Sequence, residues 1–500
     1  MTVSYDWLEA RFARLGALSE ASGMLHWDLS VMMPSGGGEA RAEQLASLSV
    51  LCHELLSERA VAEQLDAAEA AGGLDTWQAA NLVEMRRSWR HETALDARFV
   101  EAYSKACHAC EAVWREARPK ADFGLVLPHL EEVVRLVREE AARKAEAFGC
   151  TPYEALLDSY EPGGSEAEID SLFDRLAKEL PGLLRDARER QARQAVPLVP
   201  EGPFPIAAQE QLGRRLMVLA GFDFAHGRLD VSLHPFSGGT PDDVRVTTRY
   251  EENDFTSSLM GVMHETGHAL YERGLPARWR RQPVGESRGM GIHESQSLLM
   301  EMQACRSPEF LAFLSRFSAA AFGRSGPAWT ADNFRRLYHW VQPGCIRVEA
   351  DEVSYPLHVI LRTRLEKAIL TDDLQLRDLP GAWNDGMQAF LGLTPPDDRL
   401  GCLQDIHWYD GAWGYFPTYT LGAMIAAQLF QAALSAAPEI PGQLARGDFS
   451  SLQAWLRRTV HEKASSRFSH VLIEEASGKP LDPAVFMTHL RRRYLGADAA

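Results

Sequence analysis

The sequence predicts a mainly α-helical protein with one small β-sheet, and three observations support this fold class. Apolar residues recur at three-to-four spacing through most of the chain, as at Leu130, Val133 and Val137, which is the period of an amphipathic helix. The alternation that is typical of strands is confined to residues 229–250. Hydrophobic residues make up 46% of the 500 residues and charged residues 24%, the balance of a globular protein with a substantial core.

We predict a single domain over residues 1–500. Its N-terminal part, residues 1–205, carries helical patterns, and a proline-containing run over residues 196–205 joins it to the rest. The second part, residues 206–500, contains the sheet and the candidate catalytic and metal-binding residues. Helical patterns dominate there too, apart from expected loops around residues 379–417.

The small sheet is expected to be antiparallel. Val231 and Leu233 alternate with other residues before a Ser-Gly-Gly-Thr-Pro sequence at residues 237–241, and Val244 and Val246 alternate after it. A glycine-containing turn between two alternating runs predicts a β-hairpin. The hairpin lies shortly before a histidine-containing helix.

The charge of the chain argues against a polyanionic partner. Lys and Arg total 52 against 69 Asp and Glu, which gives a net charge of -17 at pH 7. Because nucleic-acid binding depends on clustered basic residues, we expect no nucleic acid among the partners. We expect no membrane partner either, because no uncharged apolar stretch approaches the ~18 to 20 residues that cross a bilayer.

Two features favour a cytoplasmic location. Residues 1–30 contain charged side chains throughout and build no apolar run with a small-residue cleavage site, which a secretory signal requires. The seven cysteines are an odd number spread over a long chain, which favours a reducing compartment over a disulfide framework. Cys107 and Cys110 form a C-x-x-C pair with no second pair to complete a structural zinc site, so we interpret them as ordinary helix residues.

A predicted helix carries the sequence His264-Glu265-Thr266-Gly267-His268. Asn253 or Asp254 is a suitable N-cap for it, and Gly274 ends it. Residues four apart lie on the same helix face, so the two histidines can each offer a nitrogen to one tetrahedral zinc ion. The intervening glutamate is rotated by about 100° around the axis and can address a metal-bound water.

A catalytic zinc ion needs a third protein ligand and one open position for water. The metzincin pattern would place Gly at 271 and His at 274, whereas this chain has Tyr271 and Gly274, which excludes that subclass. A second helix is predicted to open at residues 289–297, where His293 and Glu294 are the candidates. We prefer Glu294, because two histidines with one glutamate form an established zinc set and adjacent helix residues cannot easily both face the ion. His293 is then a contact to substrate or to a ligand.

Six short motifs occur in order along the chain, and together they are far more specific than the zinc motif alone. They are His234-Pro235-Phe236, Asp243-x-Arg245-x-Thr247, His264-Glu265-x-x-His268, His293-Glu294-Ser295-Gln296-Ser297, Ile346-Arg347-x-x-Ala350-Asp351 and Gly401-x-x-Gln404-Asp405-x-His407-Trp408. By these motifs the chain resembles the carboxypeptidase Taq family of metallocarboxypeptidases over nearly its whole length.

The resemblance implies a large, saddle-like helical zincin fold with a long central groove, usually found as a homodimer. It implies an enzyme that removes single residues from peptide C-termini with broad side-chain tolerance, so peptides with a free C-terminus are the expected partners. The implied metal is zinc or, for some members, cobalt. Carried onto this sequence, the metal ligands are His264, His268 and Glu294, and the general base is Glu265.

An exopeptidase must bind a free carboxylate, and the planar guanidinium of arginine suits this task. Arg347 is our candidate, because the family places its motif near the closed end of the groove. A structural salt bridge with Asp351, one helical turn further on, is the alternative.

The oxyanion that forms at the scissile carbonyl needs a hydrogen-bond donor besides the metal. We take His407 and Tyr415 as catalytic candidates and Tyr419 as a substrate-binding candidate. The alternative for each is an aromatic side chain packed in a loop-rich core with its polar atom satisfied.

Two further residues have a structural alternative. Arg245 and Thr247 share one face of a strand that precedes the zinc helix, a position that often lies along the substrate, but we favour a structural pair of Arg245 with Asp243. Glu301 shares a helix face with Glu294 and either orients a zinc-bound histidine or joins a polar cluster.

Two other functions stay open at this point. A zinc endopeptidase or a dipeptidyl carboxypeptidase would use the same chemistry. A metal-binding scaffold without catalysis is a further alternative, but Glu265 argues against it because a scaffold needs no base beside the metal.

Overall fold

α-Helices dominate a computed structural model that describes residues 3–232 and 234–496. The first ten helices are α1 (Val3–Val31), α2 (Gly38–Ser57), α3 (Arg59–Ala71), α4 (Thr76–Thr93), α5 (Ala97–Lys120), α6 (Phe123–Phe148), α7 (Pro152–Leu157), α8 (Glu166–Gln191), α9 (Ile206–Ala220) and α10 (Phe255–Gly274). The next ten are α11 (Met290–Leu298), α12 (Pro308–Phe322), α13 (Ala331–Tyr338), α14 (Tyr355–Leu370), α15 (Leu379–Leu391), α16 (Pro417–Ala436), α17 (Ile440–Leu444), α18 (Ser450–Thr459), α19 (Ser469–Ser477) and α20 (Pro483–Leu495). The predicted fold class, mainly α with a small sheet, is confirmed.

Three strands form the sheet in the order β1-β3-β2. They are β1 (Gly227–Val231), β2 (Ser237–Thr240) and β3 (Asp243–Thr248). β3 runs antiparallel to β2 and parallel to β1, with Leu229 opposite Val246. The sheet is therefore mixed.

The predicted antiparallel hairpin is wrong in its pairing, because the glycine-containing segment expected as a turn forms strand β2. Gly239 has a φ of 91°, and a Cβ there would lie 2.1 Å from the carbonyl oxygen of Asp243. Glycine in a strand often marks such a close approach of backbone, so here it allows β2 to pair with β3. Leu233, which the prediction also used, lies outside the described residues.

The chain divides into two compact units, each built from three segments. Unit 1 consists of Met1–Glu92, Val196–Tyr338 and Ile425–Leu481, and unit 2 of Thr93–Ala195, His339–Met424 and Asp482–Ala500. The sheet, α10 and α11 belong to unit 1. The predicted break at residue 205 lies inside a segment of unit 1, and the single domain over residues 1–500 stays a prediction.

In unit 1 the sheet packs against α1 and α10, and α9 packs against α10. The apolar side chains that meet there form one buried cluster, made of Met217, Phe222, Leu229, Val244, Val246, Val262 and Ala269. α10 is thus fixed to the sheet along one face. This leaves its histidine-bearing face for α11.

The helices that carry the histidine motif and its neighbour begin as predicted. Asp254 caps α10 by accepting a hydrogen bond of 2.8 Å from the backbone N–H of Thr256. α11 follows Gly289, whose φ of 28° lies in a region that side chains disfavour. It continues into a π-helical segment, Leu299–Cys305.

In unit 2 a buried carboxylate fixes the loop between α15 and α16. Glu366 accepts hydrogen bonds from the Tyr153 hydroxyl, the Trp408 indole and the backbone N–H of Gly414 at 2.8 to 2.9 Å. Burial raises the pKa of Glu366 to about 7. The expected loop at residues 379–417 is shorter than predicted because α15 occupies its first third.

Two further expectations can be compared with the structure. No helix among the described residues is long and apolar enough to cross a membrane. All seven cysteines carry free thiols, and Cys107 and Cys110 are buried in α5, as expected for ordinary helix residues.

The cluster between the sheet and α9 gives a test of the fold. Replacing the fully buried Met217 by alanine removes apolar contacts and leaves a cavity, so we expect a loss of about 2 to 5 kcal/mol in the free energy of unfolding. The neighbouring Val218 is 57% exposed, and Val218→Ala should change that free energy by no more than about 0.5 kcal/mol. Urea unfolding followed by tryptophan fluorescence measures both, and equal effects would contradict this packing.

Candidate metal centre

His264, His268 and Glu294 converge in unit 1. One ligand atom from each lies within 4.8 Å of the others. The carboxylate oxygen Oε2 of Glu294 is 3.3 Å from Nε2 of His268 and 3.8 Å from Nε2 of His264. α10 supplies the two histidines and α11 the glutamate, as the sequence predicted, and their role as ligands stays a prediction.

The donor set fits a divalent transition metal, because both Nε2 atoms face the carboxylate while both Nδ1 atoms are engaged elsewhere. Nδ1 of His264 lies 3.0 Å from Oε2 of Glu301, and Nδ1 of His268 lies 2.7 Å from Nδ1 of His293. Two imidazoles and one carboxylate form an established ligand set for catalytic zinc, which keeps one coordination position open for water.

A glycine between the two histidines lets the two helices approach closely enough for this arrangement. A Cβ on Gly267 would lie 2.5 Å from the carbonyl oxygen of Gln296 and 2.7 Å from Cα of Ser297. Any side chain at this position would push α11 away from α10. Glu294 of α11 reaches the two histidines because residue 267 has no side chain.

The π-helical segment after α11 supplies the partner of His264. Glu301 lies in this segment, and its second carboxylate oxygen is 2.5 Å from Nη2 of Arg306. Residues five apart point about 140° apart on an α-helix, whereas the π-helix repeats at that spacing. Arg306 therefore neutralises the carboxylate that holds His264.

Charge interactions shift the pKa values of the three converging groups. Burial opposes the protonated form of His264, but Glu294 and Glu301 raise its pKa to about 10. Burial and the nearby His293 lower the pKa of His268 to about 4. Burial opposes the charged form of Glu294, yet the two histidines lower its pKa to about 2. A divalent cation binds deprotonated nitrogen and oxygen atoms, so its binding at these three groups would release any proton that they hold.

Glu265 follows His264 on α10 and is only 7% exposed. Burial raises the pKa of this carboxyl to about 7, although the neighbouring His264 acts in the opposite direction. A carboxyl with a pKa near neutrality can both accept and return a proton. This is the property that a general base beside a metal needs.

His293 lies against His268 and does not stand free for substrate. Its Nε2 is 2.9 Å from Oε1 of Glu272, which also accepts a hydrogen bond from the Ser287 hydroxyl at 2.8 Å. The sequence left two roles open for His293, a contact to substrate or a contact to a metal ligand. In the structure it contacts His268, one of the predicted ligands.

Arg245 forms the structural pair that the sequence favoured. Its Nε and Nη2 donate to the two carboxylate oxygens of Asp243 at 3.1 and 2.6 Å. The guanidinium also lies 5.8 Å from the ring of Trp27. Its role as a substrate contact stays a prediction.

In unit 2, Arg347 is buried and paired with Asp405. Its Nε and Nη2 lie 3.1 and 2.8 Å from Oδ1 of this aspartate, and Arg362 donates to Oδ2 at 2.6 Å. The alternative of a salt bridge between Arg347 and Asp351 is wrong, because Asp351 accepts backbone N–H groups, including those of Val353 and Ser354. Two guanidinium groups thus share one carboxylate.

The three aromatic candidates lie beside this pair of arginines. Nε2 of His407 is 3.1 Å from the Tyr419 hydroxyl, and the Tyr419 ring lies 4.5 Å from the Arg347 guanidinium. Tyr415 packs its ring against Tyr160 and Tyr419 at 4.9 and 5.2 Å. Burial is the main cause that lowers the pKa of His407 to about 4, so this imidazole is neutral at pH 7.

Several residues of both clusters were missed by the sequence analysis. Glu272 stands four residues after His268, so helical spacing carried a signal that the two share a face. Arg306 lies five residues after Glu301, a spacing that predicts no contact on an α-helix. Asp405 entered the sequence analysis only as a motif residue, and spacing gave neither it nor Arg362 a role, since 58 residues separate Arg347 from the aspartate.

Comparison with known proteins identifies the family. A sequence model described as carboxypeptidase Taq (M32) metallopeptidase matches residues 7–494. The chain belongs to this family. It is therefore a metallocarboxypeptidase, a peptide hydrolase, and the resemblance inferred from the six motifs is confirmed.

Relatives match this M32 chain over its whole length. Thermostable carboxypeptidase 1 of Thermus thermophilus is 36% identical over 503 residues, which cover 97% of this chain and 96% of the relative. Carboxypeptidase 1 of Bacillus subtilis is 34% identical over 487 residues, with 96% of both proteins covered. The solved structure of metallocarboxypeptidase 1 of Trypanosoma cruzi has a TM-score of 0.96 at 40% identity, covering 98% of this chain and 99% of that one.

The close approach of α10 and α11 gives a test of the metal centre. We expect Gly267→Ala to displace Glu294 and weaken metal binding by about tenfold or more, because ligands tolerate shifts of only about 0.5 Å. Gly261→Ala is the matched control on the same helix, since a Cβ there meets nothing within 4 Å. Competition with a chromophoric chelator measures both affinities. Equal affinities for the two variants would show that the packing at Gly267 does not set the ligand geometry.

Proposed function

We propose that this M32 carboxypeptidase removes single residues from the free C-termini of peptides, with zinc held by His264, His268 and Glu294. The observation that carries the proposal is the convergence of two imidazole Nε2 atoms and one carboxylate within 4.8 Å. Cobalt is the alternative metal, because the same nitrogen and oxygen donors bind it.

The metal, when bound, would supply Lewis acidity toward the scissile carbonyl and the attacking water. Glu265 is the proposed general base. As a carboxylate it takes a proton from the water that attacks the carbonyl carbon. As a carboxylic acid it returns that proton to the amine nitrogen, so that the peptide bond breaks and the free C-terminal residue leaves.

Arg347 is the proposed contact to the substrate carboxylate. Since Arg347 and Arg362 share the single carboxylate of Asp405, the buried group carries an excess positive charge. A substrate carboxylate would balance that charge and would accept the bidentate hydrogen bonds that guanidinium offers.

His407 and Tyr415 are the proposed donors to the developing oxyanion, and Tyr419 a proposed substrate contact. The neutral imidazole of His407 has one proton to place on its two nitrogens. If Nε2 accepts the Tyr419 hydroxyl, that proton lies on Nδ1, which is buried and has no hydrogen-bond partner among the described residues. Arg245 is retained only as a secondary substrate-binding proposal because of its pair with Asp243.

A homodimer in the cytoplasm is part of the same proposal. The family resemblance supports the dimer, and the seven free thiols support a reducing compartment.

Conversion of Glu265 to glutamine tests the assignment of the base. Gln has nearly the same shape but cannot take up a proton, so we expect Glu265→Gln to lower kcat by at least about 100-fold while the protein still binds metal. Glu252→Gln, at an exposed side chain just before α10, should leave kcat unchanged. Mass analysis of one unblocked peptide gives the rate and the product, and near-normal turnover by Glu265→Gln would refute the role of this residue.

The products of that assay also separate the competing activities. Single C-terminal residues support the proposal, whereas dipeptides would indicate a dipeptidyl carboxypeptidase and internal fragments an endopeptidase.

Comparison of a peptide with its C-terminal amide tests Arg347. A charge-assisted hydrogen bond contributes about 1.5 to 3 kcal/mol, so we expect Arg347→Ala to raise KM for the free acid by roughly 10- to 100-fold. KM for the amide should change little. Arg364→Ala, which removes a half-exposed arginine of α14, is the control. Equal losses for acid and amide would assign Arg347 a purely structural role.

A further inference from the structure

The two histidines of the metal centre differ in what their Nδ1 atoms contact. His264 faces a carboxylate, that of Glu301, which can only accept a hydrogen bond. His268 faces a second imidazole, that of His293, which can accept or donate. The contact at His268 is therefore favourable only if the two rings hold complementary protons.

The surroundings of His268 select one arrangement of those protons. Its Nε2 points at Glu294 and must carry a lone pair to bind a metal. The ring proton of His268 then lies on Nδ1 and is donated to Nδ1 of His293 over 2.7 Å. His293 must accept with that nitrogen, so its own proton lies on Nε2.

Glu272 fixes the second proton in place. Nε2 of His293 lies 2.9 Å from Oε1 of Glu272. This carboxylate oxygen accepts a hydrogen bond and so favours the His293 tautomer with its proton on Nε2. The Ser287 hydroxyl donates to the same oxygen at 2.8 Å and holds the carboxylate. When both imidazoles are neutral, each of these hydrogen bonds has one donor and one acceptor only if His268 presents a bare Nε2 to the metal centre.

Ring contacts accompany this series of hydrogen bonds and restrict the orientation of the His268 ring. The ring centroids of His268 and His293 lie 4.6 Å apart, and the Tyr271 ring lies 5.6 Å from that of His293. α10 supplies His268, Tyr271 and Glu272, and α11 supplies His293. The same two helices that bring the ligands together therefore also orient one of them.

We propose that His293 and Glu272 are positioning residues, which hold His268 in the tautomer and orientation that the metal requires. The inference rests on the proposed ligand set and deepens it. Of the two roles that the sequence left open for His293, it favours the contact to a ligand, because both ring nitrogens are engaged within the protein. Outer hydrogen-bond partners of this kind raise metal affinity by about 10- to 100-fold.

Metal affinity of the full-length protein tests the proposal, with Zn²⁺ and a chromophoric chelator as the competing pair. His293→Leu has no acceptor for His268 and should weaken Zn²⁺ binding by about 10- to 100-fold. His293→Gln offers a carbonyl oxygen to His268 and an amide N–H to Glu272, and should recover most of that loss. Glu272→Ala, at a side chain that is 28% exposed, should weaken binding by about tenfold without disturbing the core.

His461→Leu is the matched control. His461 is a buried histidine that also packs on Tyr271, at 5.3 Å, but bonds to Gln296 and to no ligand. We expect its replacement to leave Zn²⁺ affinity within about twofold. A thermal unfolding curve for each variant shows whether the fold is retained, and Glu272→Ala decides the matter if His293→Leu does not fold.

Three results would overturn the proposal. Unchanged Zn²⁺ affinity of His293→Leu together with a raised KM would make His293 a substrate contact. Equal losses for His293→Leu and His293→Gln would show that the hydrogen bond to His268 does not matter. Loss of Zn²⁺ binding in every variant, including His461→Leu, would show that His293 and Glu272 have no specific role. Because affinity is measured without turnover, these outcomes are distinct from a failure of Glu265 as the general base.

Discussion

The contact between α10 and α11 at Gly267 is the constraint on which the metal centre depends. Two histidines on one helix can present their imidazoles on one face without help, but a third ligand must come from another element. The backbone of α11 reaches its required distance only because nothing projects from α10 at that point, where a Cβ would lie 2.5 Å from a carbonyl oxygen. The sheet and α9 hold the opposite face of α10, so the helix cannot retreat from the contact.

The same contact explains why the site is dense in coupled charges. Three carboxylates and three imidazoles form one continuous series of contacts of 2.7 to 3.8 Å in a largely buried volume, a combination that would be unstable if all were ionised. The structure resolves this by giving each carboxylate a partner: Arg306 for Glu301, His293 for Glu272 and the two facing histidines for Glu294.

Spacing along the chain predicted the parts of the fold and site that local geometry determines. His264 and His268 share a face because they are four apart, and Glu294 follows from a second helix start. Local rules failed where a partner is distant in sequence. They paired Arg347 with Asp351, whereas Asp405 provides two oxygens for two arginines and Asp351 caps backbone N–H groups.

The sheet shows the same limit for a different reason. Alternation identified residues 231 and 244–246 as strand, but a period of two carries no information on which strands are neighbours or on their direction. Residues 237–241 were predicted to form a turn because glycine is common in turns, whereas residues 237–240 form strand β2 against β3. In unit 2 the polar cluster around Asp405 likewise depends on contacts that no short window contains.

The π-helical segment after α11 makes the backbone conformation there as important as its composition. Its winding lets Glu301 and Arg306, the residue that follows the segment, meet at a separation of five. If the same residues formed an ordinary α-helix, the two side chains would point about 140° apart, although every motif residue would still be present. A buried anion would then stand beside His264 without its counter-charge. The type of helix at this point therefore matters to the metal centre as much as the identity of its residues.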